Sequence, residues 1–146
     1  MANILVRAIT AADHDQWLEL YSGYIAFCRR TFDAASVETL WQWLMDQKIF
    51  CLVAIVDNQM VGLAHAKEQL SPLNGKKVGY LDDLFVNLPY RGKGVANQLM
   101  AHLKLLAESK NWLFIRWITR ENNYRAKAFY DKIANKTIWH TYQLTL

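Results

Sequence analysis

The sequence predicts a mixed α/β fold, in which a central sheet carries helices on both faces. Three observations predict it. Residues 49–56 (Ile-Phe-Cys-Leu-Val-Ala-Ile-Val) are unbroken apolar sequence, the pattern of a strand covered on both sides. The turn signal Asp57-Asn58 then separates this run from a second strand-like run at 59–67, which makes an antiparallel hairpin. Further on, Val95, Leu99, Leu103 and Leu106 recur at helical spacing between strand candidates at 77–86 and 112–119. That is a β-α-β unit, whose strands run parallel.

The elements follow in chain order. Residues 3–9 read as a strand, and Thr10-Ala-Ala-Asp13 reads as a capping box opening a helix. Trp17, Tyr21, Tyr24 or Ile25, and Cys28 share one face of that helix. Gly23 weakens its middle, and Arg29 and Arg30 close it, where cations suit the helix dipole. Thr31 to Ala35 is a loop that can wall a substrate cleft. A second helix spans 36–47, with Val37, Leu40, Trp41, Leu44 and Met45 inward. Ser71 to Gly75 is a loop, and 77–86 is the strand that leads to a central turn. The long helix covers 92–110, with Lys104 and Glu108 paired on its wet face. Residues 112–119 form another buried strand, 123–133 a short helix, and 137–144 alternate as a last strand. The order β-α-α-β-β-β-α-β-α-β contains no repeat and no linker, so 1–146 reads as one domain.

A chain of 146 residues is long enough for one core. With 53% hydrophobic and 21% charged residues, its composition is that of a globular protein. No apolar run reaches the ~18 residues of a membrane span. No basic stretch followed by an apolar run marks a secretory signal, so a cytoplasmic location is expected. Cys28 and Cys51 both lie in apolar surroundings and read as buried free thiols. The net charge of +4 is mild, and no run of Lys or Arg exceeds two, so nucleic-acid binding is not indicated. Four scattered histidines form no zinc pattern, and no metal is expected. A packing role is expected for His102, whereas His65, on the strand before the central one, can face a cleft. The six tryptophans and seven tyrosines fall mostly on core-facing periods.

The stretch that carries chemistry is 81–99. An apolar strand end, Leu84-Phe85-Val86, runs through a turn at Asn87 to Tyr90 into Arg91-Gly92-Lys93-Gly94-Val95-Ala96, where the long helix begins. Such a start aims free backbone N–H groups and the positive end of the helix dipole at one place, a site suited to phosphate. Glycines at 92 and 94 let a ligand approach the backbone. The pattern is neither a P-loop nor G-x-G-x-x-G. The spacing Arg91-x-x-Gly94-x-Ala96 resembles the pyrophosphate-binding motif of the GNAT superfamily of N-acetyltransferases. A second stretch, Asn123-x-x-Ala126-x-x-Phe129-Tyr130-x-Lys132, resembles that family's later motif. Where the family continues Gly-Phe, this chain has Ile133-Ala134-Asn135-Lys136. Leu-Asp-Asp-Leu-Phe-Val and Trp117-Ile-Thr119 look most like the small histone/polyamine-type members.

The resemblance implies a mostly antiparallel sheet that splays after its central strand, with acetyl-CoA in the gap. It implies cofactor contacts from Leu84, Phe85, Val86, Arg91, Gly92, Lys93, Gly94, Val95, Ala96, Asn123 and Tyr130. Tyr130 stands where the family has its general acid, and relatives of this type often form dimers or higher oligomers. The acceptor implied is a primary amine of a polyamine, an amino acid or a lysine side chain. An alkyl ammonium has a pKa near ~10.4, so a base must take its proton. Asp82 and Asp83 are the candidates, since carboxylates are depleted in strands and two in succession are unusual. By strand alternation they point to opposite faces, one as base and the other binding the cationic substrate. Backbone N–H groups around Leu84 to Val86 would meet the oxyanion. Two other classes compete: a non-catalytic acyl-CoA-binding module, and a nucleotide-binding module using the same turn.

Overall fold

The computed structural model describes residues 3–146. Five strands form one sheet in the order β1-β2-β3-β4-β5: Leu5–Ala8, Phe50–Val56, Gln59–Ser71, Lys76–Val86 and Ile115–Arg116. All neighbours are antiparallel except β4 and β5. Four α-helices accompany them: α1 His14–Phe27, α2 Ala34–Met45, α3 Val95–Ser109 and α4 Tyr124–Ile133.

The sheet separates two apolar layers. On one face Trp17 and Leu20 of α1 and Val37, Trp41 and Leu44 of α2 pack with Val53, Leu63 and Phe85. On the other, Val95, Leu99 and Leu103 of α3 pack with Ala54, Ala64, Leu81 and Val86. The apolar run 50–56 is therefore covered on both sides, as its sequence predicts. Gly23 does not interrupt α1; a Cβ there would stand 3.7 Å from the Phe85 ring, in ordinary contact.

β5 is much shorter than its sequence suggests. It pairs with β4 only at Gly79↔Ile115 and Tyr80↔Arg116. The approach is close because the Trp112 ring lies on Gly79, where a Cβ would sit 2.3 Å from it. The Trp112 indole N–H donates to Glu68 at 2.8 Å and fixes the ring. Beyond Tyr80 the two chains part. The last expected strand, 137–144, does not form, and residues 134–146 carry no helix or strand. A strand needs a neighbour for its backbone groups, and within one copy this segment meets none. Two smaller expectations also fail. Cys28 is half-exposed rather than buried, and Lys104 and Glu108 form no ion pair among the described residues. No helix is long and apolar enough to cross a membrane.

The capping box at the start of α1 does form, and it is tied to the sheet. The Asp13 carboxylate accepts from the Thr10 N–H at 2.8 Å and from both ends of the Arg7 guanidinium, at 2.7 and 2.9 Å. The Arg7 hydrogen bonds hold Asp13 well below the usual carboxylate range, at about 2. A depressed carboxylate stabilises the fold fully above its unfolded pKa, ~3.9, and loses that contribution as pH falls toward about 2. Asp13→Asn is expected to cost about 1–2 kcal/mol at neutral pH, after allowing for solvent around Arg7. Urea unfolding should show the gap to the wild type narrowing between pH ~4 and pH ~2.

Candidate active site

The turn before α3 is built by its backbone. The Asn87 side chain accepts from the Leu88 N–H at 3.0 Å, and Pro89 lies in the single turn Leu88–Tyr90. Gly92 and Gly94 adopt φ of 74° and 87°, the left-handed region that glycine enters without a Cβ penalty. Gly94 then serves as the N-cap of α3, and no side chain caps that end. The first N–H groups of α3 are therefore left for another partner. A Cβ at 94 would meet nothing within 4 Å, so the turn opens onto free space.

A cavity of about 370 Å³ lies in front of this turn, where β4 and β5 have parted. Leu84, Phe85 and Val86 line it from the sheet, and Arg91, Gly92, Gly94, Val95 and Ala96 from the turn. Asn123, Phe129 and Tyr130 of the α4 segment line the opposite side. The two sequence motifs, some 30 residues apart, thus meet across one opening. Of the expected cofactor contacts, Lys93 alone does not line it; its ammonium stands 5.7 Å from the Tyr90 ring centroid.

Arg91 does not simply project into the space. Its Nε donates to the Val86 carbonyl at 2.8 Å, and its guanidinium lies 4.9 Å from the Phe27 ring and 5.4 Å from Phe85. Burial, and then the charge of Arg125, lower its pKa. Arg125, also in the lining, was missed in the sequence, although it stands inside the second motif. Phe27 was missed too, because nothing in a helix-end phenylalanine signals a ligand wall. It, and not the loop 31–35, brings α1 to the cavity. A crowded pair of cations at a glycine turn with free N–H groups fits a pyrophosphate.

Tyr130 packs edge-on against Trp117, with ring centroids 5.3 Å apart. Burial raises its pKa, so its hydroxyl keeps its proton at neutral pH. Asn123 has a local task, its side chain accepting from the Ala126 N–H at 3.3 Å to cap α4.

The two aspartates do not alternate as expected. The ladder pairs Asp83 with His65 and Leu81 with Ala66, so Asp82 is the extra residue of a β-bulge. The extra residue resets the alternation, and both carboxylates point to the α1 face. Asp82 accepts from the Lys67 ammonium at 2.9 Å, and Asp83 meets His65 Nδ1 at 2.9 Å. Lys67 and His65 are two apart on β3 and so share that face. Leu84 and Val86 face α3, while Phe85 faces α1.

His65, which the sequence allowed to face a cleft, is 1% exposed and offers substrate no free surface. It is the centre of a buried polar chain instead. The Trp17 indole N–H reaches His65 Nε2 at 3.1 Å. An indole N–H can only donate, so Nε2 must accept, and the ring's proton sits on Nδ1 and is donated to Asp83. Burial opposes a charged His65, yet Cys51 and Asp83 raise its pKa overall to about 10; a cationic ring, however, would turn an Nε2–H against the Trp17 N–H. The Trp17 donor decides for the neutral form. Tyr24 lies near Asp83, and its pKa is raised by burial first and then by the Asp83 charge. Among the described residues, no group of His, Cys, Asp and Glu is arranged to hold a metal.

Comparison with known proteins accords with this geometry. Residues 17–134 match the family model described as acetyltransferase (GNAT) family. A D-amino-acid N-acetyltransferase of Saccharomyces cerevisiae, HPA3, is 27% identical over 138 residues, covering 92% of this chain and 86% of the relative. An uncharacterized N-acetyltransferase of Archaeoglobus fulgidus is 32% identical over 130 residues, covering 84% of this chain and 88% of the relative. Among solved structures, aminoglycoside N-acetyltransferase AAC(6')-Iy in complex with CoA shares the fold with a TM-score of 0.85 at 19% identity, over 99% of this chain and 96% of that one. A splayed sheet, a glycine turn at its opening and a matching family model over most of the length have one explanation: this chain belongs to the GNAT family of acetyltransferases.

Proposed function

We propose that the protein transfers an acetyl group from acetyl-CoA to a primary amine of a small molecule or peptide, with free amino acids first among the acceptors. The observation that carries the reading is the single cavity shared by the α3 turn, the free edge of β4 and Tyr130. When bound, acetyl-CoA supplies the thioester from which the acetyl group leaves. The N–H groups of the turn, with Arg125 beside them, would hold its pyrophosphate. Asp83 attracts the ammonium of the acceptor and takes its proton, directly or through water. His65, fixed from behind by Trp17, orients Asp83 through Nδ1–H and is a positioning residue. Asp82, bound to Lys67 at the surface, shapes the charge at the entrance. Attack of the neutral amine would form the C–N bond as the C–S bond breaks; the Tyr130 hydroxyl would give its proton to the sulfur, and the second N–H proton, released as the amide forms, would return through water to the Tyr130 oxygen. The yeast relative's named activity on D-amino acids supports an amino-acid acceptor. Polyamines and lysine side chains carry the same ammonium.

Gly94→Asp places a side chain and a negative charge in the open turn, at a φ that a Cβ disfavours. Calorimetry on the folded variant should show acetyl-CoA affinity lower by roughly tenfold or more, about 1.4 kcal/mol; unchanged affinity would make the turn merely structural.

Tyr130→Phe keeps the packing on Trp117 and removes the proton. Turnover should fall on the order of 10²-fold with acetyl-CoA affinity little changed. Wild-type turnover in this variant would take Tyr130 out of the mechanism.

Asp83→Asn should lower kcat/KM for every accepted amine by at least ~10²-fold, while Asp82→Asn changes it far less. An assay of thiol release over a panel of amines, with both variants, compares them. Equal effects, or no effect of either, sink the assignment of Asp83 as base. A wild-type protein that binds acetyl-CoA but releases thiol with none of the panel is instead a non-catalytic acyl-CoA-binding module.

A further inference from the structure

Lys67 is, among the described residues, the one ammonium that meets the aspartate pair. It donates to Asp82 Oδ1 at 2.9 Å and lies 5.3 Å from the centroid of the Tyr80 ring. A carboxylate and an aromatic face together hold the ammonium on the α1 side of the sheet. The bulge at Asp82 places Asp83 on that same side. An ammonium has three N–H donors, and Asp82 takes one of them. The Lys67 and Asp83 side chains are 37% and 19% exposed, whereas His65, two residues from Lys67 on β3, is 1% exposed. Opposite charges thus meet solvent side by side over a buried floor.

The charge balance of this patch selects among amines. His65 is neutral, so Asp82 and Lys67 cancel and the charge of Asp83 alone is left over. One ammonium on the acceptor neutralises it. A second ammonium close by would find Lys67 in place of a free carboxylate, and like charges in contact are disfavoured. A carboxylate on the carbon that bears the amine would instead meet the remaining donors of Lys67.

We propose that Lys67 binds the carboxylate of a free amino-acid acceptor and thereby selects amino acids over polyamines and over amines without a carboxylate. This rests on the acetyl-transfer reading above and adds to it a residue that decides specificity. Asp83 and Lys67 hold the two charges of a zwitterion. The division also serves the reaction. Once Asp83 takes the proton of the ammonium, charge no longer binds the amine to it. The acceptor's carboxylate keeps its charge throughout, so Lys67 holds the acceptor in position while its nitrogen attacks.

The test compares matched acceptors with the full-length protein. The pairs are alanine with ethylamine, leucine with 3-methylbutylamine and phenylalanine with 2-phenylethylamine, each amine being the amino acid without its carboxylate. Both enantiomers of each amino acid and 1,4-diaminobutane complete the panel. Thiol release from acetyl-CoA should give the wild type a higher kcat/KM for at least one amino acid than for its partner amine and for the diamine. In Lys67→Met the ratio of amino acid to partner amine should fall at least roughly tenfold, the size of one charge-assisted hydrogen bond, mainly through KM. Lys67→Arg should keep most of the ratio, and calorimetry should find the same acetyl-CoA affinity in both variants. A ratio that stays at its wild-type value in Lys67→Met, including through an equal loss for every acceptor, overturns the proposal. So does a wild type that prefers the amines or the diamine. In both cases acetyl transfer itself stands. A wild type that releases thiol with no member of the panel removes the acetyl-transfer reading and this proposal with it.

Discussion

The site depends on the parting of β4 from β5. Parallel strands normally run side by side for several residues, yet here the ladder ends after two pairs. Trp112 governs where it starts, because its ring occupies the place that a side chain at 79 would fill, and Glu68 holds the ring by its indole N–H. From Leu81 onward β4 keeps β3 on one side and gains an opening on the other. The α3 turn lies at the end of that opening, and α4 forms its far wall. Arg120, in the segment before α4, ties that segment to the end of α1 by donating to the Cys28 carbonyl at 3.1 Å.

Charge is divided along the same strand. Toward its end, Arg91 and Arg125 crowd the glycine turn. A few residues earlier, on the α1 face, Asp82 and Asp83 stand among Lys67, His65 and Tyr24. An anionic cofactor and a cationic acceptor are thus drawn to neighbouring but distinct places. The buried part is costly unless every polar atom is met, and no buried side-chain N or O among the described residues lacks a partner. The buried chain from Trp17 through His65 holds the Asp83 carboxylate in one place.

Much of this was legible in the sequence, for physical reasons that differ by element. The long helix and the apolar strand 50–56 have patterns set by what covers them, and both formed where expected. The glycine turn was legible because its chemistry is local: a few residues fix the backbone and the helix start. The faces of Asp82 and Asp83 were not, since a bulge is decided by the partner strand and leaves no mark in alternation. The buried setting of His65 was not legible, because the donor that satisfies it, Trp17, lies 48 positions away. Residues 137–144 have the composition of a strand, but composition does not supply the edge on which a strand must lie.

The bulge at Asp82 acts as a phase shift. Before it, β4 sends even-numbered side chains such as Tyr80 to the α1 face; after it, odd-numbered ones go there, which is why Phe85 meets α1 while Leu84 and Val86 meet α3. One supernumerary residue therefore decides the parity of everything between it and the turn. An unbulged strand of the same sequence would set Leu81 and Leu84 on opposite faces; with the bulge both reach the α3 layer while Asp83 meets His65. The register of β4 against β3, and not only its composition, is under chemical constraint.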